Sequence, residues 1–231
     1  MSKIKFLALV PARGGSKRLP RKNLKLLGDI PLLAWTLNTA KEVFSLDEIL
    51  VSTDDEEIRA VSYKLGVLAP WLRPSNISDD KASSVDVALH AIEWYEKEVS
   101  SVDALVLLQP TTPFRSPDYI KEGMSKFEEF NGRFPVIGVT KSKVHPIHMM
   151  KINNGLMEYS MSKNERLESE ISETYIPNGS LYIVSKTMLT TQKSFFNERM
   201  LPIKTMSEKA SLDIDTEFDF SLACALNNMN I

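Results

Sequence analysis

Two hydrophobic rhythms alternate along the chain. Residues 4–10 form a short run that is apolar on both faces and is stopped by Pro11, which predicts a strand buried in a parallel sheet. Residues 32–43 change to helical spacing, with Leu33, Leu37 and Ala40 on one stripe. Residues 48–52 predict a second strand, and Thr53-Asp54-Asp55-Glu56 has the form of a capping box that opens a helix to about Leu65. Val85, Ala88, Leu89, Ile92 and Tyr95 recur at helical intervals and predict a helix over 84–97. Residues 104–108 predict a strand broken by Pro110. Ser116-Pro117 predicts a helix start, with Ser as cap and Pro at the first position, and residues 136–139 predict a fourth strand.

Strands alternating with helices of this length predict βαβ units, hence an α/β fold with a mostly parallel sheet. The alternation fails after Lys141. Residues up to about 175 are polar and irregular, with Asn153-Asn154-Gly155 as a hairpin turn. Apolar order returns at Leu181-Tyr-Ile-Val184. A last helix is expected from Phe218, with Leu222, Ala225, Leu226 and Met229 as its stripe. The expectation is one domain over 1–231, carrying residues 141–176 as an insertion.

Composition narrows the classes. The 231 residues are 43% hydrophobic, ordinary for a globular chain able to bury a core without disulfides or metals. Lys plus Arg is 28 against 30 for Asp plus Glu, so the net charge is −2 and the basic excess usual in nucleic-acid binding is missing. The lone Cys224 cannot form an internal bridge and fits a reducing cytoplasm. No apolar run reaches the roughly 18 residues of a membrane span, and the apolar start is too short for a signal peptide.

Against that neutral background, Pro11-Ala-Arg-Gly-Gly-Ser-Lys-Arg-Leu-Pro-Arg-Lys-Asn23 concentrates Arg13, Lys17, Arg18, Arg21 and Lys22 directly after the first strand. That is the carboxyl edge where open α/β sheets bind ligands. Gly14 and Gly15 permit close backbone approach, and their N–H groups could face an anion. Polyphosphate suits such a loop, since Arg forks onto phosphate oxygens and Lys acts as a point charge; a solvated basic loop is the plain alternative. Neither a P-loop nor a G-x-G-x-x-G fingerprint is present, which argues against NTPases, kinases and dehydrogenases.

Asp213-Ile-Asp215 places two carboxylates on one face of an extended segment. Next to polyphosphate that arrangement suits Mg²⁺; alternatively Asp215 or Thr216 caps the last helix. Leu107-Leu-Gln-Pro-Thr-Thr-Pro-Phe-Arg115 follows another strand. There Gln109 could donate to and accept from a sugar, or the segment could be a Pro-rich turn. Arg73, in Leu72-Arg-Pro74, and Ser84, after Asp79-Asp80, could contact a base edge, or Ser84 could cap its helix. Pro177-Asn-Gly179 is a ligand contact or a turn. His145 and His148 flank Pro146 with no third ligand at a zinc spacing. His90 lies in an amphipathic helix and reads as structural.

Taken in order, Pro11-Ala-Arg-Gly-Gly-Ser-Lys, Pro20-Arg-Lys-Asn23, Val51-Ser-Thr-Asp54, Leu72-Arg-Pro74, Leu107-Leu-Gln-Pro110, Pro177-Asn-Gly179 and Asp213-Ile-Asp-Thr-Glu217 resemble the acylneuraminate cytidylyltransferases. These are the CMP-sialic acid synthetases and their CMP-legionaminic and CMP-pseudaminic relatives. The resemblance implies a Rossmann-like nucleotidyltransferase core with an inserted dimerisation arm, hence a homodimer, and a reaction joining CTP to a nine-carbon 2-keto (nonulosonic) acid with release of pyrophosphate.

It further implies that Arg13 and Lys22 hold the triphosphate, with Ala12, Gly14, Lys17 and Asn23 close by. Arg73 and Ser84 would contact the cytosine end, Gln109 and Asn178 the sugar acid, and Asp213 and Asp215 Mg²⁺. The chain departs from the pattern at Ile176, where many sialic-acid members carry Arg, and in the acidic stretch from Glu165 to Glu173, where Arg166 is offset. Trp94 resembles the bacterial legionaminic members. A CMP-Kdo synthetase, or a silent nucleotide-binding homologue, is the competing expectation.

Overall fold

The computed structural model describes residues 3–78, 82–162, 173–205 and 207–229. The strands are β1 (Phe6–Pro11), β2 (Leu26–Leu27), β3 (Ile30–Pro31), β4 (Ile49–Ser52), β5 (Ala104–Leu107), β6 (Val136–Lys141), β7 (Met150–Asn153), β8 (Leu156–Tyr159), β9 (Tyr175–Ser185) and β10 (Leu201–Lys204). The helices are α1 (Leu32–Lys41), α2 (Glu56–Lys64), α3 (Ser84–Glu98), α4 (Pro117–Glu129), α5 (Lys186–Gln192) and α6 (Glu217–Asn228). None of the described helices is long and apolar enough to cross a membrane.

The central sheet runs β10-β6-β9-β5-β1-β4. Strand β1 pairs in parallel with both β4 and β5, and β6 pairs in parallel with β10, whereas β9 is antiparallel to both of its neighbours. Alternate residues of β1 supply opposite faces. Phe6, Ala8 and Val10 pack with α1, α2 and α4, while Leu7 and Leu9 pack with α3 and α5. The sheet is thereby covered on both sides, and the two-faced apolar run at residues 4–10 has its cause.

A third cluster sits off the sheet edge. Leu19, Leu27, Leu32, Ile214, Phe220 and Ala223 are buried together and tie the loop after β1 to the start of α6. This settles which side of α6 faces inward. Phe220 and Ala223 do so, while Leu222, Ala225 and Met229 of the expected stripe lie outside and Phe218 is 76% exposed.

Two helix starts also differ from expectation. Helix α2 is capped by Asp55, whose carboxylate accepts from the Glu57 and Ile58 amides, and Thr53 instead takes the Asp55 N–H. Helix α3 is capped by Ser83, so Ser84 enters the first turn. Ser116 caps α4 with Pro117 behind it, and Thr216 caps α6 in a reciprocal box with Asp219.

Between β6 and β9, the hairpin β7–β8 turns through Asn154 and Gly155, both at positive φ as a tight hairpin requires. Every residue of its two strands is exposed. Strand β9 contains a bulge: Ile137 faces Tyr182, but Val139 faces Pro177, so three extra residues of β9 are accommodated beside Gly138. A side chain at Gly138 would run into Ser180 and Tyr119, so the bulge needs glycine opposite it. Gly179, at φ +75°, makes the turn of the bulge itself.

Candidate functional site

The parallel strands β1, β4 and β5 end at the same edge, and their following loops converge there. One cleft of about 270 Å³ is lined by Arg13, Lys22, Arg73, Ser84, Gln109 and Thr111, among others. A second, of about 410 Å³, adjoins it and is lined by Arg13, Ser16, Lys17, Arg18, Lys22, Asn23 and Asp215. Arg13, Lys22 and Asn23 border both.

The loop after β1 is held by apolar and polar anchors. Leu19 is fully buried in the third cluster, and Asn23 Nδ2 donates to the Arg13 carbonyl at 2.9 Å. Lys22 Nζ donates to the Ile214 carbonyl at 2.9 Å and to Asp215 Oδ1 at 3.0 Å. Arg18 reaches Asp215 at 3.4 Å. The loop's cations do not all face the cleft. Arg21, in a left-handed conformation, pairs with Asp55 and with Glu57.

Gly14 was expected to offer its N–H to an anion, but that N–H donates to Asp54 Oδ1 at 2.8 Å. Glycine is needed there because a Cβ would collide with the Asp55 side chain. Ala12 is likewise withdrawn: it is fully buried, with its N–H on the Ser52 carbonyl at 2.9 Å.

Asp213 and Asp215 flank the fully buried Ile214, whose N–H donates to the Thr111 carbonyl at 2.8 Å. Asp213 keeps accessible surface, yet the protein around it displaces water and raises its carboxyl above the ordinary value. The charge of Asp215 pushes the same way, against a hydrogen bond from Thr111 and the charge of Lys22. Two like charges on one short segment beside a basic loop suit a divalent cation, and Mg²⁺ is commonly held through one or two carboxylates together with substrate phosphates. Among the described residues no cluster of three or more His, Cys, Asp or Glu side chains forms a metal cage.

At the other end of the cleft, Arg73 is buried. Its Nη2 donates to the Ser52 carbonyl at 2.6 Å and its Nε to Ser52 Oγ at 3.1 Å. Burial lowers its pKa, with the charge of Asp54 opposing and that of Arg13 assisting. Ser84, released from capping, lies on the wall beside it.

Gln109 lines the cleft, and its Oε1 lies 2.9 Å from where a Cβ on Gly179 would stand. Asn178 does not join it. Its side chain is buried, its Oδ1 accepts from the Ser180 N–H and hydroxyl, and its Nδ2 donates to Thr205. It therefore braces the bulge of β9 and lines neither cleft.

Three side chains at the site carried no assignment from sequence. Asp54 fixes Gly14, Thr111 lines the first cleft with its carbonyl on the Ile214 N–H, and Arg115 lies buried under the turn from Gln109 to Thr112. Asp54 was legible as a carboxylate at a strand's carboxyl end. Arg115 carried no pattern to mark it as interior. The acidic stretch from Glu165, with Arg166, and the Asp79-Asp80 pair lie outside the described residues, except Glu173, which pairs with Lys141 at 2.6 Å.

Comparison with known proteins gives concordant findings. A family model described as cytidylyltransferase matches residues 7–217. The CMP-N,N'-diacetyllegionaminic acid synthase of Legionella pneumophila is 31% identical over 98% of this chain and 98% of its own. The N-acylneuraminate cytidylyltransferase of Escherichia coli is 33% identical over 96% of this chain, which spans 52% of that protein. The pseudaminic acid cytidylyltransferase of Campylobacter jejuni is 31% identical over 98% of both. Among solved structures, CMP:2-keto-3-deoxy-manno-octonic acid synthetase complexed with CTP superposes with a TM-score of 0.70 at 16% identity, over 98% of this chain and all of that one. At that identity the likeness is one of fold.

Proposed function

This chain belongs to the cytidylyltransferase family, among its acylneuraminate members, and on that premise we propose that it joins CTP to a nine-carbon 2-keto sugar acid, giving the CMP-sugar and pyrophosphate. It is a nucleotidyltransferase. The observation that carries the site assignment is the meeting of Arg13, Lys22 and Arg73 with the Asp213–Asp215 segment around two adjoining clefts at the end of β1.

In this reading the cytosine end lies toward Arg73 and Ser84, and the triphosphate runs past Arg13 and Lys22 toward Lys17. Gln109 positions the sugar acid. The anomeric hydroxyl oxygen bonds to the α-phosphorus in line, the bond from that phosphorus to the bridging oxygen breaks, and pyrophosphate leaves while the hydroxyl proton is released. Arg13, Lys22 and Lys17 neutralise charge on the departing pyrophosphate. Asp213 and Asp215 would hold Mg²⁺, which when bound supplies further charge neutralisation at the phosphates.

The hairpin supports an inserted dimerisation arm. Met150, Ile152, Met157 and Tyr159 share one face by their cross-strand pairing, and Ile152 and Met157 are 78% and 69% exposed. An isolated two-stranded hairpin is marginal in water, so an apolar face on one calls for a cover. A second copy of this chain is the cover assigned here, making a homodimer. A cytoplasmic setting accords with the unpaired Cys224.

The test is isotopic. With CTP labelled at the α-phosphorus, the label is expected in the sugar product and none in pyrophosphate. Label in pyrophosphate, or in free CMP alone, contradicts cytidylyl transfer.

A further inference from the structure

The side chain of Arg115 is 4% exposed, and its place is under the substrate cleft. It starts one residue before the Ser116 cap of α4 and points back beneath the turn after β5. Its Nη2 donates to the Gln109 carbonyl and to Thr112 Oγ1. That hydroxyl also stands 3.3 Å from the Gln109 carbonyl and 3.5 Å from the Gly179 carbonyl in the bulge of β9. Arg115 thus braces the Gln109–Thr112 turn, and through the Thr112 hydroxyl the turn reaches the bulge of β9.

The same turn carries Thr111, whose carbonyl accepts from the Ile214 N–H at 2.8 Å, between the two aspartates. Behind the bulge, Tyr119 on α4 continues the brace: its Oη lies 2.9 Å from Ser180 Oγ and donates to the Ile203 carbonyl at 3.1 Å. One helix start therefore reaches both sides of the sugar-acid end.

Arg115 is an expensive residue for packing alone. Its Nε and Nη1 are buried without a hydrogen-bond partner among the described residues. Burying a charge costs desolvation that its contacts only partly offset, so a buried ionic group is weak evidence for a role in stability. A role in stability alone does not account for it; a role in geometry does, because an unbranched apolar chain cannot hold a carbonyl and a hydroxyl at once.

We propose that Arg115 is a positioning residue for the sugar-acid half of the reaction, acting through the Gln109–Thr112 turn rather than by touching substrate. This rests on the cytidylyl-transfer reading above. It goes beyond it by assigning a buried side chain to specificity for the acceptor and not for CTP.

The test compares Arg115→Met, Arg115→Lys and Thr112→Val with the unaltered full-length protein. The readouts are pyrophosphate release, CTP affinity by calorimetry and melting temperature. Arg115→Met is expected to melt no lower than the parent and to bind CTP within about twofold. Its sugar-acid KM should rise about fivefold or more and its kcat fall about tenfold or more, the scale of a small misplacement of reacting groups. Arg115→Lys, which keeps one donor, should recover part of both. Thr112→Val should raise the sugar-acid KM and leave CTP affinity unchanged.

Arg115→Met with kcat and sugar-acid KM within about twofold of the parent overturns the inference. So does an equal loss toward CTP and sugar acid with a lowered melting temperature that lysine does not restore. If Arg115→Met does not fold, Thr112→Val decides, and an unchanged sugar-acid KM there overturns it. A parent protein that releases no pyrophosphate with any acid overturns the functional reading itself, which separates the two failures.

Discussion

Lys22 Nζ lies 3.0 Å from Asp215 Oδ1, joining the first loop of the chain to a segment 193 residues later. The buried cluster that holds Leu19 and Ile214 brings the two segments together, and the ion pair and the bond to the Ile214 carbonyl orient them. The basic loop and the Asp213–Asp215 segment thus form one unit. Neither segment alone defines the site.

From that unit, Asp213→Asn and Asp215→Asn are each expected to lower pyrophosphate release about 100-fold or more while leaving far-UV circular dichroism unchanged. Chelation with EDTA should abolish release, and Mg²⁺ should restore it. Full activity in both variants, with Mg²⁺ as the only metal, would remove the metal assignment.

Arg73 is expected to serve CTP and not the acceptor. Losing a hydrogen bond from a charged group costs about 1.5–3 kcal/mol, so Arg73→Met should weaken CTP binding about 10- to 100-fold, measured by calorimetry. The sugar-acid KM should stay within a factor of about two. A change confined to the sugar acid would contradict the orientation of CTP in the cleft.

Asp55 ties the loop to α2. Desolvation pushes its carboxyl up, but hydrogen bonds from Arg21 and from the Ile58 and Glu57 amides outweigh it, so the net shift is downward. A lowered folded-state pKa stabilises at pH above the unfolded value of about 3.9, and that stability is lost as pH falls through the folded value. Asp55→Ala should cost about 1–2 kcal/mol at pH 7, the usual worth of such a cap. The gap to the parent, measured by urea unfolding, should close below about pH 4. A gap that persists undiminished in acid would contradict this.

The hairpin predicts assembly. Ile152→Asp with Met157→Asp places two charges on its apolar face and should convert a dimer to monomers in sedimentation at micromolar concentration, with the chain still folded. A monomeric parent, or an unaffected dimer, would contradict the arm's role.

Much of the fold was legible because the governing signals are local. The two-faced run at residues 4–10, the stripe from Val85 to Tyr95, the Ser116-Pro117 start and the Asn154-Gly155 turn each carry their own cause within a few residues. What misled were choices made by distant partners. Helix α6 offers two apolar stripes, and Leu19 and Leu27 select the one with Phe220 and Ala223.

Thr53 and Asp55 both suit a cap, and the ion pair to Arg21 accompanies the choice of Asp55. The antiparallel run of β9 depends on the chain's return from the hairpin, which no local pattern signals. At the site, charged residues that line an open cleft were legible in kind: Arg13, Lys22, Arg73 and Asp215. Gly14, Ala12 and Asn178 were not. Their polar groups are taken by Asp54, Ser52 and Ser180, partners far away in sequence or turned inward by a bulge.

The most direct test of the central claim is pyrophosphate release from CTP and Mg²⁺ with a panel of acceptors: legionaminic, N-acetylneuraminic and pseudaminic acids, with the eight-carbon 3-deoxy-octulosonic acid as the contrast. Release is expected with at least one nine-carbon acid, equimolar with CMP-sugar formed, and little is expected with the eight-carbon acid. Release with the eight-carbon acid alone, or none with any acid despite measurable CTP binding, would contradict the claim.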